Sequence, residues 1–161
     1  MSINLKALIE RLNTTTRTSL EAAAGLCLSR THYDVEIEHY LLKLLDAPDS
    51  DATRIFSAFG VDRSRLTAEL MRSLDRLKTG NARTPAFSPS LVEMFTEAWT
   101  TGSLNYGGEK VRSGFTLLAL ATNEKLSRMM RDVNKEFQKI AGEALSKDFA
   151  SEPKSKESLL S

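Results

Sequence analysis

The chain has 161 residues, of which 41% are hydrophobic and 27% charged, proportions typical of a globular protein rather than a disordered one. Its 22 Lys and Arg against 21 Asp and Glu give a formal net charge of +1, which gives no reason to expect a polyanionic partner. The single cysteine, Cys27, excludes an internal disulfide framework and fits a reducing compartment. Because no apolar run approaches the length of a membrane span and the first residues lack the plan of a signal peptide, we expect a cytoplasmic protein.

Apolar residues recur at helical spacing through the first half of the chain. A short first helix is predicted over residues 3–12, and a second helix carries the stripe Leu20, Ala24, Cys27 and Thr31. A third helix is predicted over 36–45 and a fourth over 51–59, closed by Gly60. Asp62 is expected to cap a fifth helix that carries Leu66 and Leu70 and ends at Gly80.

The second half repeats this plan after a break at residues 79–89, which we interpret as a linker. Ser88 or Ser90 is expected to cap a helix that carries Phe95 and Trp99. Further helices are predicted from about residue 113, near 126–130 and from about residue 134. Residues 151–161 contain too little apolar surface to pack and are expected to form a flexible linker. No stretch alternates with period two, so the predicted class is all-α.

The two halves match each other in order. A shift of 71 positions places Leu20 on Leu91 and Leu66 on Phe137, and a shift of 76 places Val35 on Val111. Such ordered matches favour a duplicated four-helix unit over chance agreement between leucine-rich helices. The first repeat would span about 14–79 and the second about 88–146.

The sequence offers little chemistry for catalysis. It contains no Gly-x-x-x-x-Gly-Lys-[Ser/Thr] loop, so we expect neither nucleotide binding nor ATPase activity from these residues. Cys27, His32 and His39 match no usual zinc spacing, even with Asp34 or Glu36 added, and no metal site is expected. Cys27 is predicted to be a small buried apolar residue, and His39 to make a local hydrogen bond at the start of its helix.

Three arginines on the predicted fifth helix, Arg65, Arg72 and Arg76, define the main alternative to a protein-binding module. They could contact phosphates, but Glu69 and Asp75 share the same polar face and no interleaved aromatic residues accompany them. A solvated helix face explains them better, and nucleic-acid binding is kept as the alternative from another class. A binding module is therefore favoured over an enzyme.

Some stretches carry a more specific signal than helical periodicity. They are Glu-Ala-Ala-Ala-Gly-Leu-Cys at 21–27, Glu-His-Tyr-Leu-Leu at 38–42, Phe-Gly-Val-Asp at 59–62 and Lys-Thr-Gly-Asn-Ala-Arg-Thr-Pro at 78–85. They resemble the N-terminal domains of the ClpV family, the AAA+ ATPases of bacterial type VI secretion. The resemblance implies one module over residues 1–150, a pseudo-twofold bundle of eight helices with an extra N-terminal helix. The Glu-His-x-Leu-Leu step is diverged in its second copy at 114–118.

The resemblance also implies a function. The module would be the recognition domain of an unfoldase, binding an N-terminal helical segment of the larger sheath subunit so that contracted sheath is disassembled. ATP and magnesium would belong to the full-length protein, a hexamer, whereas the isolated domain is expected to be monomeric, free of cofactors and without a membrane partner. Two alternatives remain. One is the N-domain of a general Clp disaggregase that binds apolar client segments or adaptors, and the other is a helical nucleic-acid-binding domain.

A groove that accepts a client helix would be lined by apolar anchors at helical spacing. We predict one wall on the first helix, with Leu8, Leu12 and Arg11, because this helix lies outside the duplicated unit. The second wall is predicted where the second repeat begins, at Thr84, Pro85, Ala86, Phe87 and Leu91. The resemblance points to the same surface. The alternative is that Leu8, Leu12 and Phe87 pack on one another and only seal the linker.

Overall fold

The computed structural model describes residues 4–150 and residue 157, and residues 4–150 form an all-α fold, as predicted. They contain nine α-helices, one short 3-10 turn and two short strands. The helices are α1 (Leu5–Glu10), α2 (Thr14–Ser29), α3 (Ile37–Leu44), α4 (Asp51–Ala58), α5 (Arg63–Asp75), α6 (Pro89–Tyr106), α7 (Ser113–Thr122), α8 (Glu124–Val133) and α9 (Gly142–Ala150). The strands are β1 (Asp34–Val35) and β2 (Ala86–Phe87), and the 3-10 turn is Glu136–Lys139.

Most helices begin at a polar residue whose side chain accepts the backbone N–H three positions later, which satisfies one of the free donors of the first turn. Ser88, not Ser90, caps α6 in this way, and Pro89 follows at the first helical position. The other caps of this kind are Asn4, Asn13, Ser50, Asp62 and Asn123. After α4 the chain leaves the helix through Gly60 at φ +69°, a left-handed conformation that glycine adopts without a steric penalty.

Two pairings of extended backbone show the internal symmetry of the fold. β1 pairs in parallel with β2, with Val35 opposite Phe87, and Leu12 forms a parallel bridge with Val111. Val35 and Leu12 precede α3 and α2, whereas Val111 and Phe87 precede α7 and α6. Exchanging the halves therefore converts one pairing into the other. The duplicated unit inferred from the sequence has this physical counterpart, and α1 lies outside it.

The core is one continuous apolar cluster that draws on both halves. α3 and α7 supply its centre, where Tyr40, Leu41 and Leu117 are fully buried. Burial of this kind is the main favourable term for a chain of this size. Within the described residues, no helix is both long enough and apolar enough to cross a bilayer.

Several predicted element boundaries were wrong. The first helix covers Leu5–Glu10 rather than 3–12, and Ile3 lies outside the described residues. Thr31 follows α2 at φ +57° and is exposed, so it does not continue the buried stripe. The fifth helix ends at Asp75, well before Gly80.

The predicted last helix from about residue 134 is also two elements. The 3-10 turn Glu136–Lys139 comes first, and α9 starts only at Gly142. Tertiary bonds replace helical ones there, because the carboxylate of Glu69 accepts the N–H groups of Lys135 (3.0 Å) and Glu136 (3.1 Å). Glu69 is consequently buried, not part of the solvated face of α5 that the sequence suggested.

Residues 79–89, which we interpreted as a linker, are hydrogen-bonded to the segment that follows α2. Asn81 N–H donates to the Thr31 carbonyl at 2.9 Å and its side-chain amide donates to the His32 carbonyl at 3.1 Å. β2 then continues the attachment to β1. The flexible linker predicted over 151–161 lies outside the described residues except at Glu157, whose side chain is buried.

Candidate functional site

α1 lies against α6 and against the segment that precedes α7. The guanidinium of Arg11 sits 4.8 Å from the centre of the Trp99 ring, a cation–π contact. The ammonium of Lys110 donates to the Glu10 carbonyl at 2.8 Å, which satisfies a free acceptor at the end of the helix. These contacts fix a helix of only 6 residues, too short to be stable alone.

The eight residues predicted to bind a client divide into a buried and an exposed set. Leu8, Leu12 and Leu91 are 8%, 2% and 1% exposed and belong to the core. Arg11, Thr84 and Ala86 are exposed, and Pro85 and Phe87 are half-buried. The three buried residues therefore pack beneath the surface. A docked peptide would contact mainly the exposed and half-buried residues.

Phe87 is held by backbone hydrogen bonds rather than by a flexible loop. Ala86 N–H donates to the Tyr33 carbonyl at 3.2 Å, and Ser88 N–H donates to the Val35 carbonyl at 3.0 Å. Phe87 also packs partly on the core cluster that contains Leu8 and Leu12. Both predicted walls are thus fixed to the core of the protein. The sequence signal for this attachment was weak, because two-residue strands leave no detectable alternation.

A second cluster, Cys27, His32 and His39, is brought together although its spacing matched no known site. The candidate ligand atoms of the three side chains lie within 4.8 Å of one another, and all three residues are buried. Nδ1 of His32 lies 2.9 Å from Nε2 of His39, and Nδ1 of His39 accepts the Glu36 N–H at 2.9 Å. The local hydrogen bond predicted for His39 at the start of its helix is confirmed, as part of a capping box.

Proton positions in this cluster fit a hydrogen-bond network better than a cation site. Because Nδ1 of His39 accepts a backbone N–H, the ring proton lies on Nε2, which then donates to His32. A metal at Nε2 would require removal of that proton or loss of the cap. Burial raises the pKa of Cys27 to about 11, so the thiol stays protonated, and Sγ donates to the Asp34 carbonyl at 3.3 Å. We interpret the cluster as structural.

Arg65 and Arg72 are exposed on α5, and Arg76 is exposed directly after its end, as expected for a solvated face. Arg65 lies 3.7 Å from the carboxylate of Asp62, so acidic groups accompany the basic ones. Phe95 is buried in the core as predicted, whereas Trp99 is only half-buried, packed partly on the core and in contact with Arg11.

Sequence reasoning missed a buried ion pair between the halves. Two of the three guanidinium nitrogens of Arg112, Nε and Nη2, donate to the Asp51 carboxylate at 2.9 Å, and Asp51 is almost fully buried. The two residues are 61 positions apart, so no local pattern could have paired them. This pair joins the start of α4 to the start of α7.

The family model described as the Clp repeat (R) N-terminal domain matches residues 11–133. The AAA+ ATPase ClpV1 of Pseudomonas aeruginosa is 32% identical over 147 residues, which is 91% of this chain and 16% of that protein. The chaperone protein ClpB of Yersinia enterocolitica is 34% identical over 149 residues, 92% of this chain and 17% of that protein. The chain thus spans about a sixth of the length of these relatives.

Solved structures agree in fold. A structure from work on the ATPase ClpV, the TssB-TssC sheath and the accessory HsiE protein has a TM-score of 0.87 and 31% identity, covering 93% of both chains. A ClpV N-domain in complex with a VipB peptide has a TM-score of 0.68 and 32% identity, covering 91% of this chain and 94% of that one. With its duplicated helical unit and its match over most of its length, the chain belongs to the Clp N-terminal repeat domain family.

Proposed function

We propose that this chain is the substrate-recognition domain of a type VI secretion AAA+ unfoldase, which binds an N-terminal helical segment of the larger sheath subunit. The observation that carries the proposal is the similarity to a ClpV N-domain in complex with a VipB peptide, at 32% identity over 91% of this chain. ClpV1 of Pseudomonas aeruginosa supports it at the level of sequence.

We propose that the helix contacts the two predicted walls, α1 with Arg11 and residues 84–87. A helix docks through apolar side chains spaced i, i+3, i+4 and i+7 on a firm apolar surface. Phe87 and the 41% exposed Leu5 offer apolar contacts, and Arg11 offers a cation for a client carboxylate. Because hydrogen bonds and core packing already fix both walls, little entropy would be lost on ordering them.

ATP hydrolysis, magnesium and hexamer formation belong in this proposal to other parts of the full-length protein, which would act in the bacterial cytoplasm. The chain itself carries no phosphate-binding loop. We propose that it binds the client and performs no catalysis.

Calorimetric titration of residues 1–161 with a peptide covering the first residues of the larger sheath subunit tests this function. A scrambled peptide of the same composition is the control, because it has the same charge and apolar content without the anchor spacing. Saturable binding of the native peptide and none of the scrambled one is expected. Equal binding of both, or no binding of either, would contradict the proposal.

A general disaggregase N-domain is the second candidate, favoured by the 34% identity to ClpB of Yersinia enterocolitica. In that case unrelated apolar segments would bind as well as the sheath peptide does. The same titration with an unfolded apolar peptide that has no sheath sequence separates the two candidates. A duplex DNA oligonucleotide in the same series tests the nucleic-acid alternative, whose binding would weaken steeply with salt.

A further inference from the structure

Glu157 lies seven positions beyond the end of α9, yet its side chain is buried among residues from three distant parts of the fold. One carboxylate oxygen accepts the Asn13 side-chain amide at 2.9 Å and the Ser113 N–H. The other accepts the Asp51 N–H at 3.0 Å and the Ser113 hydroxyl. Four donors therefore converge on two oxygens, the full complement of a well-bound carboxylate.

The donors form a site that the rest of the fold holds in place. Asn13, Asp51 and Ser113 are themselves 7%, 1% and 0% exposed. The Asn13 side-chain oxygen caps α2, and the side-chain amide of the same residue donates to Glu157. The Ser113 hydroxyl accepts the Ala52 N–H at 3.2 Å, so its proton is free to be donated to the carboxylate. We call Asn13, Asp51 and Ser113 the carboxylate receptor.

The charge at the receptor suits an anion even though Asp51 lies in it. The Asp51 carboxylate is held by Arg112 and also accepts the Gly114 N–H at 3.3 Å, whereas the Asp51 backbone N–H donates to Glu157. That N–H and the N–H of Ser113 belong to the first residues of α4 and α7, where the helix dipoles favour negative charge.

The receptor is contiguous with the end of α1. Val111 N–H donates to the Arg11 carbonyl at 2.7 Å, and Asn13 N–H donates to the Val111 carbonyl at 3.0 Å. Glu157 thus bonds to Asn13 on one side of this pairing and to Ser113 on the other. Residues 11–13 and 111–113 are held together both by their own backbone bonds and by Glu157.

We propose that the carboxylate receptor binds Glu157 of this chain and that its occupation stabilises the pairing of residues 11–13 with 111–113 that positions α1. The ligand class is a side-chain carboxylate, and its source is the segment that follows α9. Any effect of Glu157 on peptide affinity rests on the proposed function, whereas the binding of Glu157 by the receptor is independent of it.

Amide proton NMR of the full chain tests the receptor, by comparing the wild type with Glu157→Gln and Glu157→Ala. A glutamine replaces one of the two acceptor oxygens with an NH₂ group that faces two donors, whereas an alanine removes both acceptor oxygens. The Asp51 and Ser113 amide protons should move upfield and exchange with solvent about tenfold faster or more. Glu143→Gln is the matched control, because Glu143 is exposed on α9 and meets only Lys147, 3.9 Å away, in a surface ion pair. Unchanged Asp51 and Ser113 amide signals in both Glu157 variants would overturn the proposal.

The sheath peptide supplies the second measurement. Loss of Glu157 should weaken peptide binding about threefold or more, since the end of α1 becomes less ordered. If both amide protons shift but affinity is unchanged, the receptor stands and its link to α1 is refuted. If the wild type binds no peptide, the proposed function fails while the NMR comparison still decides the receptor.

Discussion

The hydroxyl groups of Tyr40 and Thr116 lie 2.9 Å apart at the centre of the core, and the two residues are separated by the same 76 positions that relate the two repeats in this region. Each residue is thus the counterpart of the other, and the hydrogen bond crosses the pseudo-twofold axis. The Thr116 hydroxyl also donates to the Ser113 carbonyl at 2.6 Å, so it accepts from Tyr40.

This arrangement predicts that Tyr40→Phe and Thr116→Val lower the free energy of unfolding by different amounts. Tyr40→Phe removes a donor while Thr116 keeps its other bond, and should lower the free energy of unfolding by about 1 kcal/mol. Thr116→Val leaves the buried Tyr40 hydroxyl without this partner and should cost more, about 1–3 kcal/mol. Urea denaturation of both variants checks the order. A larger loss for Tyr40→Phe would contradict the assigned direction of the bond.

Acidification should destabilise the protein through the paired histidines. Burial first, then the nearby charges of His32 and Arg30, lowers the pKa of His39 to about 4, and burial also lowers the pKa of His32. Unfolded histidines bind protons near pH 6.5, so between about pH 6.5 and 4 the unfolded chain binds more protons and stability falls as the pH falls.

A His39→Gln variant is the control for this pH dependence. Glutamine can still accept the Glu36 N–H but does not titrate in this range. Burial raises the pKa values of Glu36 and Glu38, which acts in the opposite direction and is retained in the variant. Urea denaturation at about pH 7, 6 and 5 should show a steeper loss for the wild type than for His39→Gln. Parallel curves would refute this role of the pair.

Two glycines in helices predict opposite responses to alanine. A Cβ on Gly102 would lie 2.6 Å from a ring carbon of Phe115, so Gly102→Ala should cost about 1–3 kcal/mol through overpacking. A Cβ on Gly25, in α2, meets nothing within 4 Å. Gly25→Ala should therefore stabilise the protein by about 0.5–1 kcal/mol, as expected for a helix interior. Thermal denaturation separates them, and a stabilising Gly102→Ala would be inconsistent with the close contact of α6 and α7.

The helical class, the duplication and the caps at Asp62 and Ser88 were predicted from the sequence, because these depend on local patterns. Ser50 caps α4 in the same way but was not predicted. The 3-10 turn at 136–139 could not be predicted, since its cause is the carboxylate of Glu69, 66 positions away from Lys135. Its local periodicity resembles that of an ordinary helix.

The residues of the candidate site were proposed from the sequence, but how deeply each of them is buried was not predicted. Leu12 and Phe87 were both proposed as client-binding anchors, and both pair with extended backbone of the other half, yet Leu12 is 2% exposed while its counterpart Phe87 is only half-buried. Burial depends on partners that are distant in the sequence, and apolar spacing does not reveal them. Glu157 was missed for the same reason, because its partners are 44 to 144 positions distant.

The buried pair of Arg112 and Asp51 should be among the more costly contacts to break. Arg112→Ala would leave the Asp51 carboxylate without its guanidinium partner and also remove a cation that lies 5.2 Å from the centre of the Phe115 ring. We expect a loss of about 3 kcal/mol or more in the free energy of unfolding. Arg128→Ala, which breaks the exposed pair with Glu124, is the matched control and should cost less than about 0.5 kcal/mol. Similar losses for both variants would argue against the structural importance of the buried pair.

Phe87 provides the most direct measurement of the central claim, that a sheath-subunit helix docks between α1 and residues 84–87. Phe87→Ala and Leu104→Ala are compared with the wild type by calorimetric titration of the sheath peptide, with thermal denaturation of each protein. Leu104 is a matched control because it is an apolar side chain on α6 that is 78% exposed. Phe87→Ala should weaken binding by about 1–3 kcal/mol with little change in melting, and Leu104→Ala should leave affinity unchanged. Undiminished affinity of a folded Phe87→Ala protein would contradict the account.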